Sequence, residues 1–447
     1  MLSRFAKKIK LSNSVYSVFN SLIMLPIFTD KEQAEKIFSN DLDSFSKSEL
    51  DELKKAGIIT DNDKFDTLLL ESVCETRKEL LENKITIMYL IPTNTCNLMC
   101  KYCFIGKLNE KPCYMEYDTA IDAVDKFYEH LCSIGEKGTI FFYGAEPLLN
   151  FDLIKKVVLY SKEKGYDIEY VMVSNGILLN AEIANFIKEN SISLGLSIDG
   201  PKNINDSNRI FKGSKKSVYD VVLSKIKLLK SMDVDFNLSI TVAPVFLDNE
   251  EYFLRWIEDL GIYNISYNLL HFTYKTDEWK SYYKKAVKFI YKSNNLLFNK
   301  GFNEDRVNRK YDAFYNRTFK FSDCAAIGGN QLTICPNGDI EICHGYWNRK
   351  ERKLPNIKDI DSFSDLFSLD EYKKWATNIT LNKTKCLNCP AIYICGGGCA
   401  MQSKDLFGDE RKIDKAFCIY TKFMLRNILK EVYIENNNIS EVTKIEV

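Results

Sequence analysis

Between residues 85 and 270, short apolar runs recur along the chain, separated by longer stretches whose apolar positions repeat every three or four residues. The runs fall at 85–91, 139–143, 168–173, 194–198, 236–242 and 265–270. Each is rich in β-branched or aromatic residues, the pattern of a strand buried on both faces. The intervening stretches read as helices: in 218–229, Val218, Val222, Ile226 and Leu229 fall on one face. Such alternation predicts six βα units forming a parallel sheet with right-handed crossovers. Six units are too few for an eight-fold barrel, so the expected fold class is α/β with a partial (βα)6 TIM-like barrel.

The two ends read differently. In residues 1–87, the runs 15–19 and 22–25 predict short strands and 31–38 a helix. A second helix is expected from Ser46, with Glu49 at the capping-box spacing, to a stop at Gly57. Leu50 and Leu53 give it an apolar face, and Ile58-Ile59 predict a returning strand. Towards the other end, turns multiply and eight of the fourteen cysteines appear. Residues 420–434 read as a helix, with a frayed polar end beyond. The expected domains are 1–87, 88–310 and 311–425, with a tail at 426–447, in keeping with roughly 150 residues per domain.

Composition narrows the function. Apolar residues make up 45% and charged residues 27%, which is globular. Lys plus Arg and Asp plus Glu are both 61, so net charge gives no reason to expect a nucleic-acid or anionic-membrane partner. No apolar run approaches the roughly 20 residues of a membrane span. The basic start is followed by an apolar stretch broken at Asn20 and Pro26, without a small-x-small site, so no signal peptide is expected. Fourteen cysteines are too few for a disulfide scaffold and too many for ordinary packing. A cytoplasmic location and thiolates that ligate a metal or cluster are expected.

Cys96, Cys100 and Cys103 form C-x3-C-x2-C on a loop after the first predicted strand of the sheet. Three thiolates this close can hold three irons of an iron–sulfur cube and leave the fourth open. Zinc would want four ligands, and the next cysteine, Cys113, lies ten residues on. A redox disulfide and incidental cysteines are the other readings. Gly144-Ala145-Glu146-Pro147, Ser174-Asn175-Gly176 and Ser197-Ile198-Asp199-Gly200 follow the next three strands, with Arg209 downstream. One such turn is only a turn, but four at one rim mark the end where parallel βα folds place active sites.

The C-terminal pattern is Cys324-x13-Gly338-x4-Cys343, then Cys386-x2-Cys389-x5-Cys395-x3-Cys399, then Cys418. The alternative reading is a zinc ribbon or treble clef. Asn337-Gly338 predicts a two-residue hairpin turn. That register sets Cys335 opposite Ile340 and Cys343 opposite Leu332, so the two cysteines point to opposite faces unless a bulge intervenes. Cys335 is then a ligand or a buried free cysteine. Cys74, Cys113 and Cys132 fit no pattern. His130 is expected on a helix surface, His271 near the rim as a candidate lining residue, and His344 as a satisfied structural histidine.

The C-x3-C-x2-C loop and the rim motifs together resemble radical S-adenosylmethionine enzymes, and the C-terminal spacing resembles the SPASM domain. The resemblance implies three [4Fe–4S] clusters and S-adenosylmethionine, cleaved to a 5′-deoxyadenosyl radical. Cys96, Cys100 and Cys103 would hold the cluster that binds S-adenosylmethionine. Cys324, Cys343 and Cys399, with Cys335 as candidate fourth ligand, would hold one auxiliary cluster; Cys386, Cys389, Cys395 and Cys418 would hold the other. Gly144, Ala145 and Glu146 match the family's Gly-Gly-Glu-Pro motif, which binds the methionine amino group largely through backbone. Ala145 departs from the second glycine, which a negative φ would tolerate. Tyr102, Ser174, Asn175, Ser197 and Arg209 are implied cofactor contacts, Arg209 with a fork suited to a carboxylate.

Residues 1–87 resemble winged-helix-like modules that bind leader peptides, a role that strand addition would serve. The resemblance therefore implies maturation of a ribosomally made precursor peptide: hydrogen abstraction, then a thioether or other crosslink. A low-potential donor such as flavodoxin or ferredoxin would supply electrons. One alternative is the anaerobic sulfatase-maturing (formylglycine-forming) group, where an aspartate stands at the position of His344. Another is a non-catalytic iron–sulfur electron-transfer or peptide-binding protein.

Overall fold

The computed structural model describes residues 1–105, 111–272, 278–347 and 354–437. The predicted fraying beyond residue 437 lies outside the described residues. The chain opens with an antiparallel sheet of β1 (Ala6–Lys10), β2 (Tyr16–Asn20) and β3 (Ile27–Thr29), in that order. Residues 22–25 are a turn instead of the expected strand. Asn20 makes it: its Oδ1 accepts from the Leu22 N–H at 2.9 Å, its Nδ2 donates to the Gly57 carbonyl at 2.8 Å, and Met24 sits at φ 56°. The capping box is present before the helix Lys47–Lys55. Ile58-Ile59 form no strand, only a bridge from Ile59 to Leu2. A helix at Phe65–Leu81, with no fully buried residue but with Leu69, Leu70 and Val73 half-buried against the main core, completes the unit. Arg77 Nη2 donates from it to the carbonyls of Ala376 (3.1 Å) and Gly328 (3.3 Å). Leu11, Phe19 and Met24 share a core with Tyr393, Ile394 and Leu425, so the first unit packs on the cysteine-rich region.

The main sheet has six consecutive parallel strands: β4 (Ile87–Leu90), β5 (Gly138–Phe142), β6 (Ile168–Ser174), β7 (Ser193–Ser197), β8 (Phe236–Val242) and β9 (Asn264–Leu269). A short β10 (Asn303–Glu304) pairs in parallel with β9. At the other edge β11 (Gln331–Ile334) pairs in parallel with β4 and antiparallel with β12 (Ile340–Glu341). Residues from the C-terminal region thus extend a mixed, mostly parallel sheet. One face of the strands, including Met88, Ile140, Met172, Leu194, Leu238 and Ile240, packs beneath helices. The other face carries Tyr89, Phe141, Val171, Asn237, Ser239 and Asn268 into a shared cavity. One face is therefore buried and the other is half-buried against the cavity, so burial alternates along β4, β5, β6, β8 and β9.

The β11–β12 turn differs from expectation by one residue. The Cys335 N–H donates to the Asp339 carbonyl at 2.8 Å and the Gly338 N–H to the Cys335 carbonyl at 2.9 Å, with Ile334 opposite Ile340. The loop is the three residues 336–338. Pro336 suits the second position of a type I turn, and Gly338 takes the left-handed residue that follows, at φ 85°. Continued along the pair, this register puts Cys335 and Cys343 on one face, overturning the opposite-face expectation. The ladder itself ends at Glu341, two residues before Cys343.

Candidate functional site

A cavity of about 1390 Å³ runs from the C-terminal ends of the strands across the inner sheet face. Cys96, Cys100 and Cys103 line one side, and Cys324 and Cys399 another. Short hydrogen bonds pin the cysteine loop: Met99 N–H to the Ile210 carbonyl (2.7 Å) and Lys101 N–H to the Asn208 carbonyl (2.9 Å). Its base is held by Asn94, whose Oδ1 accepts from the Cys113 N–H at 2.7 Å, which gives that unassigned cysteine a structural place. The Leu98 N–H (3.4 Å) and Asn175 Nδ2 (3.6 Å) both point at Cys96 Sγ. Burial pushes the Cys96 thiol up to about 12 and that of Cys100 to about 11, while Arg209 favours the Cys100 thiolate. Thiolates here need a strong local cation. Three soft sulfurs facing open space, with N–H donors on one of them, fit an iron–sulfur cluster with an accessible iron.

Gly144, Ala145, Ser174, Asn175 and Ser197 line the same cavity. Gly144 has φ 123°, and a Cβ there would meet Ile91 Cγ2 at 2.6 Å, so its backbone lies bare to the cavity. Ala145 has the negative φ that its methyl group requires. Glu146 does not line the cavity. Its buried carboxylate accepts from Ser174 Oγ (2.7 Å), the Asn175 N–H (2.8 Å) and the Leu148 N–H (3.1 Å). Burial raises its pKa against these bonds. Glu146 therefore ties the β5 and β6 loops together and positions the residues around it.

Arg209 is buried, not solvated. Its Nε and Nη2 hold both oxygens of fully buried Asp199 at 2.9 and 3.0 Å, and the Tyr102 hydroxyl donates to the same carboxylate. The Thr241 N–H adds a further bond at 3.0 Å. Asp199 is the functional residue that sequence reasoning missed. Its only signal was its place in the Ser197–Gly200 turn, ten residues before Arg209.

The three histidines part company. His130 is helical but buried: its Nε2 accepts from the Ile85 N–H at 3.1 Å, and burial lowers its pKa to about 4. It corrects the surface expectation, because the helix Tyr117–Ile134 lays it against β4. His271 lines the cavity, with Nε2 2.7 Å from Asp405 Oδ2. His344 also lines it, stacked on Tyr89 with ring centres 4.4 Å apart. Its Nδ1 has no hydrogen-bond partner among the described residues, contrary to the satisfied state expected, and burial lowers its pKa to about 4.

The C-terminal cysteines fall into two neighbourhoods. Cys399 lies within electrostatic reach of Cys324, and Tyr89 feels both Cys324 and Cys343. Cys418 feels Cys386, Cys389 and Cys395. Cys335 sits apart, buried with Ile91, Ile105 and Trp347 and packed against Cys103, its Sγ 3.8 Å from the Trp347 carbonyl. Cys74 and Cys132 are exposed. Among the described residues no helix is long and apolar enough to cross a membrane.

A parallel α/β sheet whose strand ends converge on a cavity-facing three-cysteine loop defines a class of enzymes that bind a cluster and cofactor at that rim. The chain belongs to the radical SAM superfamily, whose family model matches residues 90–260. An uncharacterized protein of Methanocaldococcus jannaschii, MJ0907, is 32% identical over 293 residues, covering 63% of this chain and 96% of the relative. The radical SAM cyclopropyl synthase TigE of Paramaledivibacter caminithermalis is 25% identical over 94% of this chain and 90% of its own. A cysteine-type anaerobic sulfatase-maturating enzyme of Clostridium novyi is 23% identical over 76% of this chain and 95% of its own. Among solved structures, native anSMEcpe with bound AdoMet superposes with a TM-score of 0.67 at 21% identity, over 78% of this chain and all of the other. Streptococcus suis SuiB bound to the precursor peptide SuiA gives 0.55 at 14% identity, over 94% of this chain and 99% of the other. Membership brings S-adenosylmethionine and a [4Fe–4S] cluster, which the rim cysteines fit.

Proposed function

We propose that this enzyme modifies a ribosomally made precursor peptide, abstracting hydrogen within the cavity and closing a thioether or other crosslink. The observation that carries this reading is the single cavity joining the Cys96 loop to Cys324 and Cys399. In it, the β4–β9 sheet is a partial (βα)6 barrel, residues 311–425 are a SPASM domain, and residues 1–87 are a winged-helix-like leader-binding module. The partly exposed edge strand β3 would pair with an extended leader.

Cys96, Cys100 and Cys103 would hold the cluster, and the bare backbone at Gly144–Ala145 with Ser174, Asn175 and Ser197 would seat S-adenosylmethionine. Together these groups supply a 5′-deoxyadenosyl radical. Arg209, Asp199 and Tyr102 form a rigid charged wall beside the seat. Tyr89, Phe141 and Tyr143 exclude water from the inner face. A substrate thiol that joins a carbon must lose its proton, and His271, fixed by Asp405, is the cavity-wall group to accept it. S-adenosylmethionine, when bound, would supply the radical that takes the carbon-bound hydrogen, and the C-terminal cysteines would hold the cluster that accepts the remaining electron for a one-electron carrier. We assign one auxiliary cluster to Cys324, Cys343 and Cys399, and the other to Cys386, Cys389, Cys395 and Cys418. Cys335 is left out, because it is buried in a separate apolar cluster with Ile91, Ile105 and Trp347.

Sulfatase maturation is the second reading, favoured by the sulfatase-maturating relative. Coverage weighs against it: the TigE alignment spans 94% of this chain and the sulfatase-maturating one 76%. The test is anaerobic incubation of the reconstituted enzyme with dithionite, S-adenosylmethionine and candidate short peptides encoded beside its gene. A peptide that loses two hydrogens as 5′-deoxyadenosine accumulates supports the proposal. Modification of a sulfatase-derived peptide alone would favour the second reading.

A further inference from the structure

A buried ion pair lies between the two C-terminal cysteine groups, and it has a direction. Lys310, 1% exposed, donates from Nζ to Asp323 Oδ1 at 2.5 Å and to the Cys395 carbonyl at 3.0 Å. Asp323 directly precedes Cys324. The ammonium therefore rests on the backbone of one group and the carboxylate stands beside a cysteine of the other.

The surrounding charges mostly reinforce this polarity. Lys383, whose carbonyl accepts from the Cys386 N–H at 2.8 Å, lies within reach of Cys386, Cys395 and Cys418. Lys422, four residues after Cys418 on the helix Lys415–Asn436, reaches Cys386. Lys7 of β1 reaches Cys389. On the other side, Asp414 Oδ2 accepts from the Cys399 N–H at 3.1 Å. Three charges act otherwise: Arg306 opposes Asp323 at Cys324, Arg309 also lies within reach of Asp323, and Asp414 also reaches Cys418. A nearby cation makes an anionic cluster easier to reduce, and a nearby anion makes it harder.

We propose that the Lys310–Asp323 pair orders the two auxiliary reduction potentials, making the cluster on Cys386, Cys389, Cys395 and Cys418 the more easily reduced. The inference rests on the cluster assignment proposed above. An electron delivered on the cavity side then passes outward: the cluster on Cys324, Cys343 and Cys399 is reoxidised as the outer one is reduced. Lys310 and Asp323 are positioning residues, acting through the clusters and not on substrate.

The test is an anaerobic EPR redox titration of the reconstituted full chain. Lys310→Met should lower the outer cluster's reduction constant roughly tenfold, about 59 mV for one electron, with Lys310→Arg restoring it. Asp323→Asn should raise the inner cluster's constant similarly. Because breaking one half of a buried pair threatens the fold, the double variant Lys310→Met/Asp323→Asn removes both charges together, and the two potentials should converge. Unchanged potentials in that double variant, with iron content intact, overturn the inference. The cluster assignment fails separately if Cys386→Ala/Cys389→Ala retains the wild-type iron content.

Discussion

Cys96, Cys100 and Cys103 come from one short loop and face a cavity; Cys386, Cys389 and Cys395 share a ten-residue stretch that is joined by Cys418 from the helix Lys415–Asn436, and the four sit among lysines. The first set is held by bonds to its own loop and to Asn175 at the next rim. The second is held where the short helices Thr384–Leu387 and Ile392–Cys395 meet the helix Lys415–Asn436. A local loop can wrap one corner of a cluster and leave the rest open to a ligand. Under the proposed assignment, four thiolates from two segments would close the second site. The difference would then separate a place for chemistry from a place for passing electrons, with the same ligand type.

The largest effect that tests this contrast is at the loop. Replacing Cys96, Cys100 and Cys103 by alanine should abolish 5′-deoxyadenosine formation and remove about four irons per chain, measured by nucleoside yield and iron assay. Replacing Cys386 and Cys389 should also remove about four irons yet leave nucleoside formation without peptide in place, while peptide modification is lost. Equal loss of nucleoside in both variants would erase the distinction.

Next is the charged wall beside the rim. Asp199→Ala leaves buried Arg209 without its partner, at an expected cost of about 3–5 kcal/mol read from denaturant unfolding. Gly144→Ala puts a side chain at φ 123° and against Ile91, an expected loss of about 1–3 kcal/mol with weakened S-adenosylmethionine binding by calorimetry.

The smallest effect is a pH dependence behind the loop. His130 accepts from the Ile85 N–H just before β4, and its pKa falls to about 4 in the folded state from the usual 6.5. As pH drops through that window, the unfolded chain takes up the proton first. The stabilisation is thus complete above about 6.5 and lost progressively towards about 4. His130→Gln should flatten that part of the stability–pH curve.

The sheet was legible because each of its six central strands has a fully buried face of apolar residues and a half-buried face that is still partly apolar or aromatic. β1, Ala-Lys-Lys-Ile-Lys, was not, since only Ala6 is buried and the lysines mask the strand. The helix Phe65–Leu81 escaped for a related reason: its core-facing side, with Leu69, Leu70 and Val73, is only half-buried, and Leu68 and Leu80 lie exposed. β11 joins β4 across more than two hundred residues, and no local pattern encodes that pairing. At the site, the rim turns and cysteine spacings could be read directly. The Asp199–Arg209 fork and the Lys310–Asp323 pair could not, because a charge shows its partner only once the fold brings them together. One residue of turn geometry at Pro336 was enough to reverse the face assigned to Cys335.

The central claim is that the Cys96–Cys103 loop holds a cluster with an iron open to S-adenosylmethionine. It is tested most directly by EPR of the dithionite-reduced enzyme before and after adding S-adenosylmethionine. The account predicts that one reduced-cluster signal changes on addition, and that this signal is missing from the Cys96, Cys100, Cys103 triple alanine variant. A spectrum indifferent to S-adenosylmethionine in the wild type, or the same response surviving in the triple variant, would contradict it.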